Sequence, residues 1–249
     1  MPVAIVTGAS SGLGREMAIQ LGTSGNRVVL VARRQAALEE LAASLPDSQV
    51  VVADLGTSGG ARTVIDAVPA ADIVVNNAGF GECGLFADSD ADRALEMIQV
   101  NCASLTALCR GYVPGMLQRR SGKVLNIAST ASFQPGPTMA VYYASKAYVL
   151  SFTEALAEEL RGSGVTATAF CPGAFASGFQ DVANARNTRL IRGRRLPSSA
   201  EIAGLALKAM DRGDVVSVPG FMNKVGAATI RFSPRPIVRR VVHYIQAEA

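Results

Sequence analysis

The chain has 249 residues, 49% of them hydrophobic and 18% charged, which supplies a sizeable core and excludes a disordered chain. Its net charge of +4 is mild and is not by itself a nucleic-acid footprint, which needs basic residues gathered on one face. With a single histidine, His243, and four cysteines lacking any paired or ligand-like spacing, a Ser-His-Asp hydrolase or a metal centre is poorly supplied, and no metal is expected.

Length alone accommodates one large α/β domain or two small ones. The first apolar run, "VAIVT" (3–7), leads straight into "TGASSGLGREMA" (7–18). Gly8, Gly12 and Gly14 stand at this strand-to-helix junction in GxxxGxG spacing rather than the common GxGxxG. A tight turn, close backbone approach to a pyrophosphate and helix N-terminal N–H groups aimed at an anion all ask for glycine here. The second run, "RVVLVA" (27–32), ends on Arg33 and Arg34. A carboxylate at this place would bond the ribose hydroxyl of NAD, whereas two guanidiniums suit the extra phosphate of NADP, so NADP(H) is expected. After the third run, "QVVVA" (49–53), Asp54 is placed either to accept from an adenine amino group or to cap a helix.

The fourth run, "DIVVN" (72–76), precedes a long apolar stripe over 92–118 at Leu95, Ile98, Cys102, Leu105, Cys109, Tyr112 and Met116. After "KVLNIAS" (123–129), a second stripe over 143–161 places Val149, Phe152, Leu156 and Leu160 together. Such stripes mean core packing or, in part, pairing across a subunit interface. "VTATAF" (165–170) and "VVSV" (215–218) complete seven runs that are continuously apolar. That pattern, alternating with helices, predicts an α/β fold: a doubly wound Rossmann-type, seven-stranded parallel sheet covered on both faces. No apolar stretch reaches 18 residues and no secretory leader is read before the first strand, so a cytoplasmic protein is expected.

Four lysines occur, at 123, 146, 208 and 224, and Lys146 falls one helical turn after Tyr142 in "YYASK". TGxxxGxG at 7–14, NNAG at 76–79, Asn101, Ser129, YxxxK at 142–146 and "PG" at 172–173 all stand in the order of the short-chain dehydrogenase/reductase family, which the chain resembles over nearly its whole length. Ser129 precedes Tyr142 by the family's usual separation. The resemblance implies one Rossmann domain over 1–249, hydride transfer with a nicotinamide, and a homodimer or homotetramer. It implies catalytic roles for Asn101, Ser129, Tyr142 and Lys146, with Asn101 kinking its helix and anchoring a water toward the lysine. It also implies cofactor contacts from Gly8, Ser10, Ser11, Gly12, Leu13 and Gly14 in the turn, and from Asp54 and Leu55 beside the two arginines. Further contacts are implied at Asn77, Ala78 and Gly79, at Tyr142 and Lys146, and at Pro172, Gly173 and Phe175. Ser177 stands where the family usually has a threonine holding the nicotinamide carboxamide.

The residues carry the chemistry on their own terms. Hydride delivery to a carbonyl leaves an alkoxide that needs a proton, which Tyr142 can give if the Lys146 charge draws its pKa down from about 10. Ser129, at the carboxyl edge of the fifth strand, can donate to the developing oxyanion. Tyr143 has Ala147 rather than a lysine one turn on, and reads as packing or pocket wall.

The resemblance implies a substrate lid over about 175–199, and specificity is expected to reside there and in a tail over about 220–249. The lid carries Arg186, Arg189, Arg192, Arg194 and Arg195, either a solvated loop or a docking surface for an anionic carrier. In the tail, Ile237, Val238, Val241, Val242 and Ile245 make an apolar face beside Arg235, Arg239 and Arg240. Such a helix can pack on a neighbour, cover the active site or lie on a membrane, of which packing is the expectation. Phe80, Phe133, Tyr143, Phe175 and Phe179 suggest an apolar pocket. The expected activity is an NADPH-dependent carbonyl reductase or alcohol dehydrogenase for a moderately hydrophobic substrate. A 3-oxoacyl-thioester reductase and a non-catalytic NADP-binding regulator are the alternatives, and nucleic-acid binding has only charge behind it.

Overall fold

The structure, a computed structural model, describes residues 1–178 and 196–246. Seven parallel strands form one sheet in the order β3-β2-β1-β4-β5-β6-β7: β1 Val3–Thr7, β2 Arg27–Ala32, β3 Ser48–Val52, β4 Ile73–Asn76, β5 Gly122–Ile127, β6 Val165–Phe170 and β7 Val216–Ser217. This is the doubly wound sheet expected from seven apolar runs.

Strand side chains alternate between two cores. On one face Ile5, Val29, Val74 and Val124 pack with α3 (Gly60–Ala67), α5 (Leu105–Arg119) and α6 (Ala140–Glu159), through Val64, Tyr112, Met116 and Val149. On the other, Ala4, Val28, Val75 and Leu125 meet α1 (Gly12–Thr23), α2 (Gln35–Ala43) and α7 (Ser199–Arg212), through Met17, Leu38 and Met210. β4 lies beside β1 although β2 and β3 intervene in the chain. The direction of winding therefore reverses between β1 and β4, and a crevice opens at their carboxyl ends.

The stripe over 92–118 is not one continuous helix. α4 (Ala91–Ile98) runs through a π-turn at Gln99–Ser104 into α5. The extra residue of the wide turn shifts the register. Met97, five residues before Cys102, is buried, while Leu95 and Ile98, expected in the stripe, are exposed. Cys102, Leu105, Cys109, Tyr112 and Met116 are buried as expected, with the cysteines as free thiols. On α6, Val149 and Leu160 are buried and Phe152 and Leu156 half-buried.

The tail folds into α8 (Phe221–Ile230) and α9 (Arg235–Gln246). α9 buries Val238, Val242 and Gln246, spaced four residues apart, and leaves Ile237 and Val241 about half exposed. The single apolar face read from the sequence is thus two stripes, of which only one is covered. That stripe packs on Ala131, Met139 and Tyr143. Of the three fates open to the tail, the inner stripe takes the second: it lies within its own chain over the cleft at Tyr142 and Tyr143, not on a neighbour. Among the described residues no helix is long and apolar enough to cross a membrane.

Candidate active site

The crevice at the β1/β4 switch widens into a cleft of about 730 Å³ that runs from the first turn to α9. Every cofactor or catalytic candidate named from the sequence lines it except Gly14 and Asn101, which lie just behind its wall.

At one end β1 delivers the glycine turn. Gly8 (φ 68°) and Gly12 (φ 54°) occupy the left-handed region that a side chain would strain. A Cβ on Gly8 would lie 2.8 Å from Asn77 Nδ2, and one on Gly14 would drive into the Gly8 carbonyl. Thr7 binds this turn to the end of β4: its hydroxyl accepts from the N–H groups of Asn77 and Ala78, both at 3.0 Å, and its carbonyl accepts from Asn77 Nδ2 at 2.9 Å. Ser10 and Ser11 project from the turn beneath Arg34, whose Nη2 donates to their hydroxyls at 3.0 and 2.8 Å.

Arg33 turns instead toward α4, donating to Glu96 at 3.1 Å with Asp54 4.0 Å away. Glu96 also pairs with Arg93 at 2.7 Å, and the Arg93 guanidinium lies over the Phe80 ring, 3.9 Å from its centroid. Asp54 caps its own turn, its Oδ1 accepting from Gly56 N–H at 2.9 Å, and the Leu55 carbonyl accepts from the Ser104 hydroxyl at 2.7 Å.

At the centre the catalytic candidates meet. Ser129, at the end of β5, caps the short 3-10 turn Thr130–Phe133 by accepting from Ala131 N–H at 3.1 Å, and it lines the cleft together with Tyr142. Burial pushes the Tyr142 phenol up to about 12, with the Ser129 hydrogen bond opposing. Lys146 is buried and donates to the Ile127 carbonyl at 2.7 Å. Its ammonium stands 5.9 Å from the centroid of the Tyr142 ring. Burial brings its pKa down to about 8, with Cys102 and Cys171 acting weakly the other way. Desolvation is thus the largest influence on that phenol, and Ser129 is the group that opposes it.

Asn101 sits in the π-turn with its amide fully engaged. Its Oδ1 accepts from Phe80 N–H at 3.2 Å, and its Nδ2 donates to the Phe80 carbonyl at 3.0 Å and the Ser145 hydroxyl at 2.9 Å. It thereby fastens the loop after β4 to α6, the helix that carries Tyr142 and Lys146. A Cβ on Gly79 would be 2.8 Å from Asn101 Oδ1 and 3.5 Å from Lys146 Nζ, so only glycine fits between them.

On the far wall, the Pro172 carbonyl accepts from Thr130 N–H at 2.9 Å, Gly173 abuts the Asn223 amide of α8, and Ser177 stands over Gly12. The two ends of the expected lid are joined where Ala176 N–H donates to the Pro197 carbonyl at 2.8 Å. Phe179 and the five lid arginines lie outside the described residues.

Phe80, Tyr143 and Phe175 line the cleft as expected, but Phe133 does not and packs against the core under the sheet instead. Val100, Met139, Arg93, Glu96 and Gln246 also line it and were not expected. Gln246 alone had a readable signal, because it continues the buried Val238–Val242 spacing by four with a polar residue. Among the described residues no cluster of His, Cys, Asp or Glu could hold a metal.

The family model for short chain dehydrogenases matches residues 2–188. The chain belongs to the short-chain dehydrogenase family. An uncharacterized oxidoreductase of Staphylococcus epidermidis is 37% identical over 176 residues, which cover 69% of this chain and 76% of that protein. Among solved structures, a short-chain dehydrogenase from Sphingobium yanoikuyae in complex with NADPH superposes with a TM-score of 0.82 at 28% identity, covering 93% of this chain and 95% of that one. A bulky-bulky ketone specific alcohol dehydrogenase from Comamonas testosteroni gives 0.79 at 26% identity, covering 93% of each chain. This short-chain dehydrogenase is accordingly an oxidoreductase that uses a nicotinamide cofactor on a small molecule.

Proposed function

We propose that this short-chain dehydrogenase uses NADP(H) to interconvert a carbonyl and a secondary alcohol on a moderately hydrophobic substrate. The observation that carries the reading is Ser129, Tyr142 and buried Lys146 lining one cleft with Arg34 laid across Ser10 and Ser11. A regulator that only senses the nucleotide has no use for that proton donor.

The residues fit the cofactor. The turn at Gly8–Gly14 leaves backbone open where side chains would intrude and would hold the pyrophosphate at the start of α1. Arg33 and Arg34 would hold the 2′-phosphate, with Asp54 and Leu55 at the adenine and Asn77, Ala78 and Gly79 along the middle. Tyr142 and Lys146 would hold the inner ribose, and Pro172, Gly173, Phe175 and Ser177 the nicotinamide end. When bound, the nicotinamide supplies or accepts the hydride.

In reduction, Tyr142 gives its proton to the substrate oxygen as charge builds there, while Ser129 donates a hydrogen bond to the same oxygen. The Lys146 ammonium supports the phenolate left behind. Asn101 acts at one remove, by holding the Phe80 loop against α6. Phe80, Val100, Met139 and Phe175 give the substrate end its apolar walls. The reading takes 1–249 as one domain that works as a homodimer or homotetramer. Exposed Leu95 and Ile98 on α4 and the stacked Tyr148–Phe152 pair on α6 are surfaces such an assembly would bury.

The test is oxidation of NADPH and of NADH across ketones, quinones, steroids and 3-oxoacyl thioesters, beside Tyr142→Phe. Turnover with NADPH on a free ketone, lost in the variant, supports the reading. Turnover confined to thioesters, or unchanged in the variant, rejects it.

A further inference from the structure

We infer that the outer face of α8–α9 is a docking surface for anionic lipid. Residues 215–246 contain Lys224, Arg231, Arg235, Arg239 and Arg240 and not one Asp or Glu. All five side chains are exposed, and among the described residues none of them makes an ion pair. Interleaved with them are large apolar side chains turned to solvent: Phe221 (79% exposed), Met222 and Val225 on α8, Phe232 (89%) in the turn, and Ile237 and Val241 on α9. In α8 the three fall at i, i+1 and i+4 on one side, and in α9 the two fall one turn apart. Isolated exposed apolar residues are ordinary, but six within 21 consecutive residues are not.

Charge selects the occupant. A second copy of the chain meeting this face with its own would set five basic residues against five, with no carboxylate on either segment to neutralise them. The headgroup region of an anionic bilayer supplies phosphate for the arginines and an apolar layer for Phe, Met and Ile, the pattern of helices that lie in a membrane interface without crossing it. The inner stripe of α9 is already committed to Met139 and Tyr143, so the helix stays anchored to the fold while its outer stripe is presented. This inference stands apart from the proposed activity, because it uses none of the residues assigned to cofactor or proton transfer.

The test is sedimentation of the full chain with vesicles of phosphatidylcholine alone and of equimolar phosphatidylcholine and phosphatidylglycerol, at low and high salt. Binding is expected only to the anionic vesicles and should weaken as salt rises. Arg239→Gln and Arg240→Gln should each weaken it about fivefold. Phe232→Ser with Ile237→Ser should weaken it at every salt concentration. Because these side chains are exposed, the variants should keep the parent's melting temperature, which is measured alongside. Failure of the parent to bind anionic vesicles, or equal binding to both kinds, overturns the inference. So does a Phe232→Ser/Ile237→Ser variant whose particle mass by light scattering falls while any vesicle binding persists, for then the face joins copies of the chain.

Discussion

Gln246, in the last described turn of α9, donates its side-chain amide to the hydroxyl of Tyr143, the residue next to the catalytic candidate. Both side chains are buried, and the Tyr143 ring meets the Tyr142 ring edge-on with centroids 6.0 Å apart. The tail is therefore tied to α6 by a buried polar contact in the wall of the cleft.

Removing the Tyr143 hydroxyl leaves the Gln246 amide buried without that partner, at a cost of about 1–3 kcal/mol. Tyr143→Phe should lower the melting temperature and raise KM while sparing most of kcat. Tyr143→Phe combined with Gln246→Leu removes both polar groups and should recover much of the stability. Loss of kcat in Tyr143→Phe comparable to that in Tyr142→Phe would contradict the assignment of these two neighbours.

Glu96 competes for Arg33. The pair is solvent-exposed on the arginine side, so its strength is about 0.2–1 kcal/mol. Glu96→Gln should release Arg33 and tighten NADPH about two- to fivefold, leaving NADH unchanged. Arg34→Ala should weaken NADPH far more than NADH, since Arg34 already spans Ser10 and Ser11. Fluorescence titration of each nucleotide measures both differences without substrate.

The strands and the glycine turn were legible because their signals are local. A run such as "RVVLVA" is continuously apolar wherever it ends up, and only glycine accepts the backbone at Gly8. The meeting of Ser129, Tyr142 and Lys146 in one cleft was legible through their spacing. The register before the π-turn was not: the resemblance implied a kink at Asn101, but composition does not mark the added residue, and Leu95 and Ile98 face the surface. Glu96 was hidden for a different reason, and Gln246 showed only its spacing by four from Val242. Each reaches the cleft by a tertiary contact, with Arg33 63 residues away and with Tyr143 103 residues away. The Lys146–Tyr142 pairing shows the converse limit: spacing brought the two together, but burial, which no spacing reports, sets both pKa values.

Asn101 should be more costly to lose than a surface amide. Asn101→Ala frees the Phe80 N–H and carbonyl and the Ser145 hydroxyl in a buried setting, although Ser145 keeps its bond to the Tyr142 carbonyl. The expected destabilisation is about 3 kcal/mol, read as a shift in denaturant midpoint with unchanged slope. Asn101→Asp keeps the acceptor for Phe80 N–H but loses both donations, and should fall between the two. An alanine variant as stable as the parent would show that the π-turn does not depend on these bonds.

Lys146 makes stability depend on alkaline pH in a direction opposite to that of a paired lysine. Its pKa is lowered by burial from 10.5 to about 8, so below about pH 8 both folded and unfolded chains carry the proton and the fold bears the full cost of burying the charge. Between about 8 and 10.5 the unfolded chain still binds the proton while the folded one has released it, and stability rises with pH across that window. The rise attributable to this group is about 3 kcal/mol. Tyr142 acts the other way, but only above pH 10, where the unfolded phenol ionises before the buried one and stability is lost as pH climbs toward about 12. The buried thiols of Cys102, Cys109 and Cys171, raised by burial from 9.0, oppose the lysine between pH 8 and 10, so the difference between the parent and a variant lacking the lysine is what isolates it. Lys146→Met should be the more stable protein at pH 7, with an advantage that shrinks toward pH 10, even though its turnover is abolished. The parent's ketone reduction should fall as pH passes about 8, since a neutral amine no longer supports the phenolate. Urea titrations of parent and variant at matched pH decide the matter: an advantage for Lys146→Met that stays constant or grows from pH 7 to 10 would mean that Lys146 is not held at a lowered pKa.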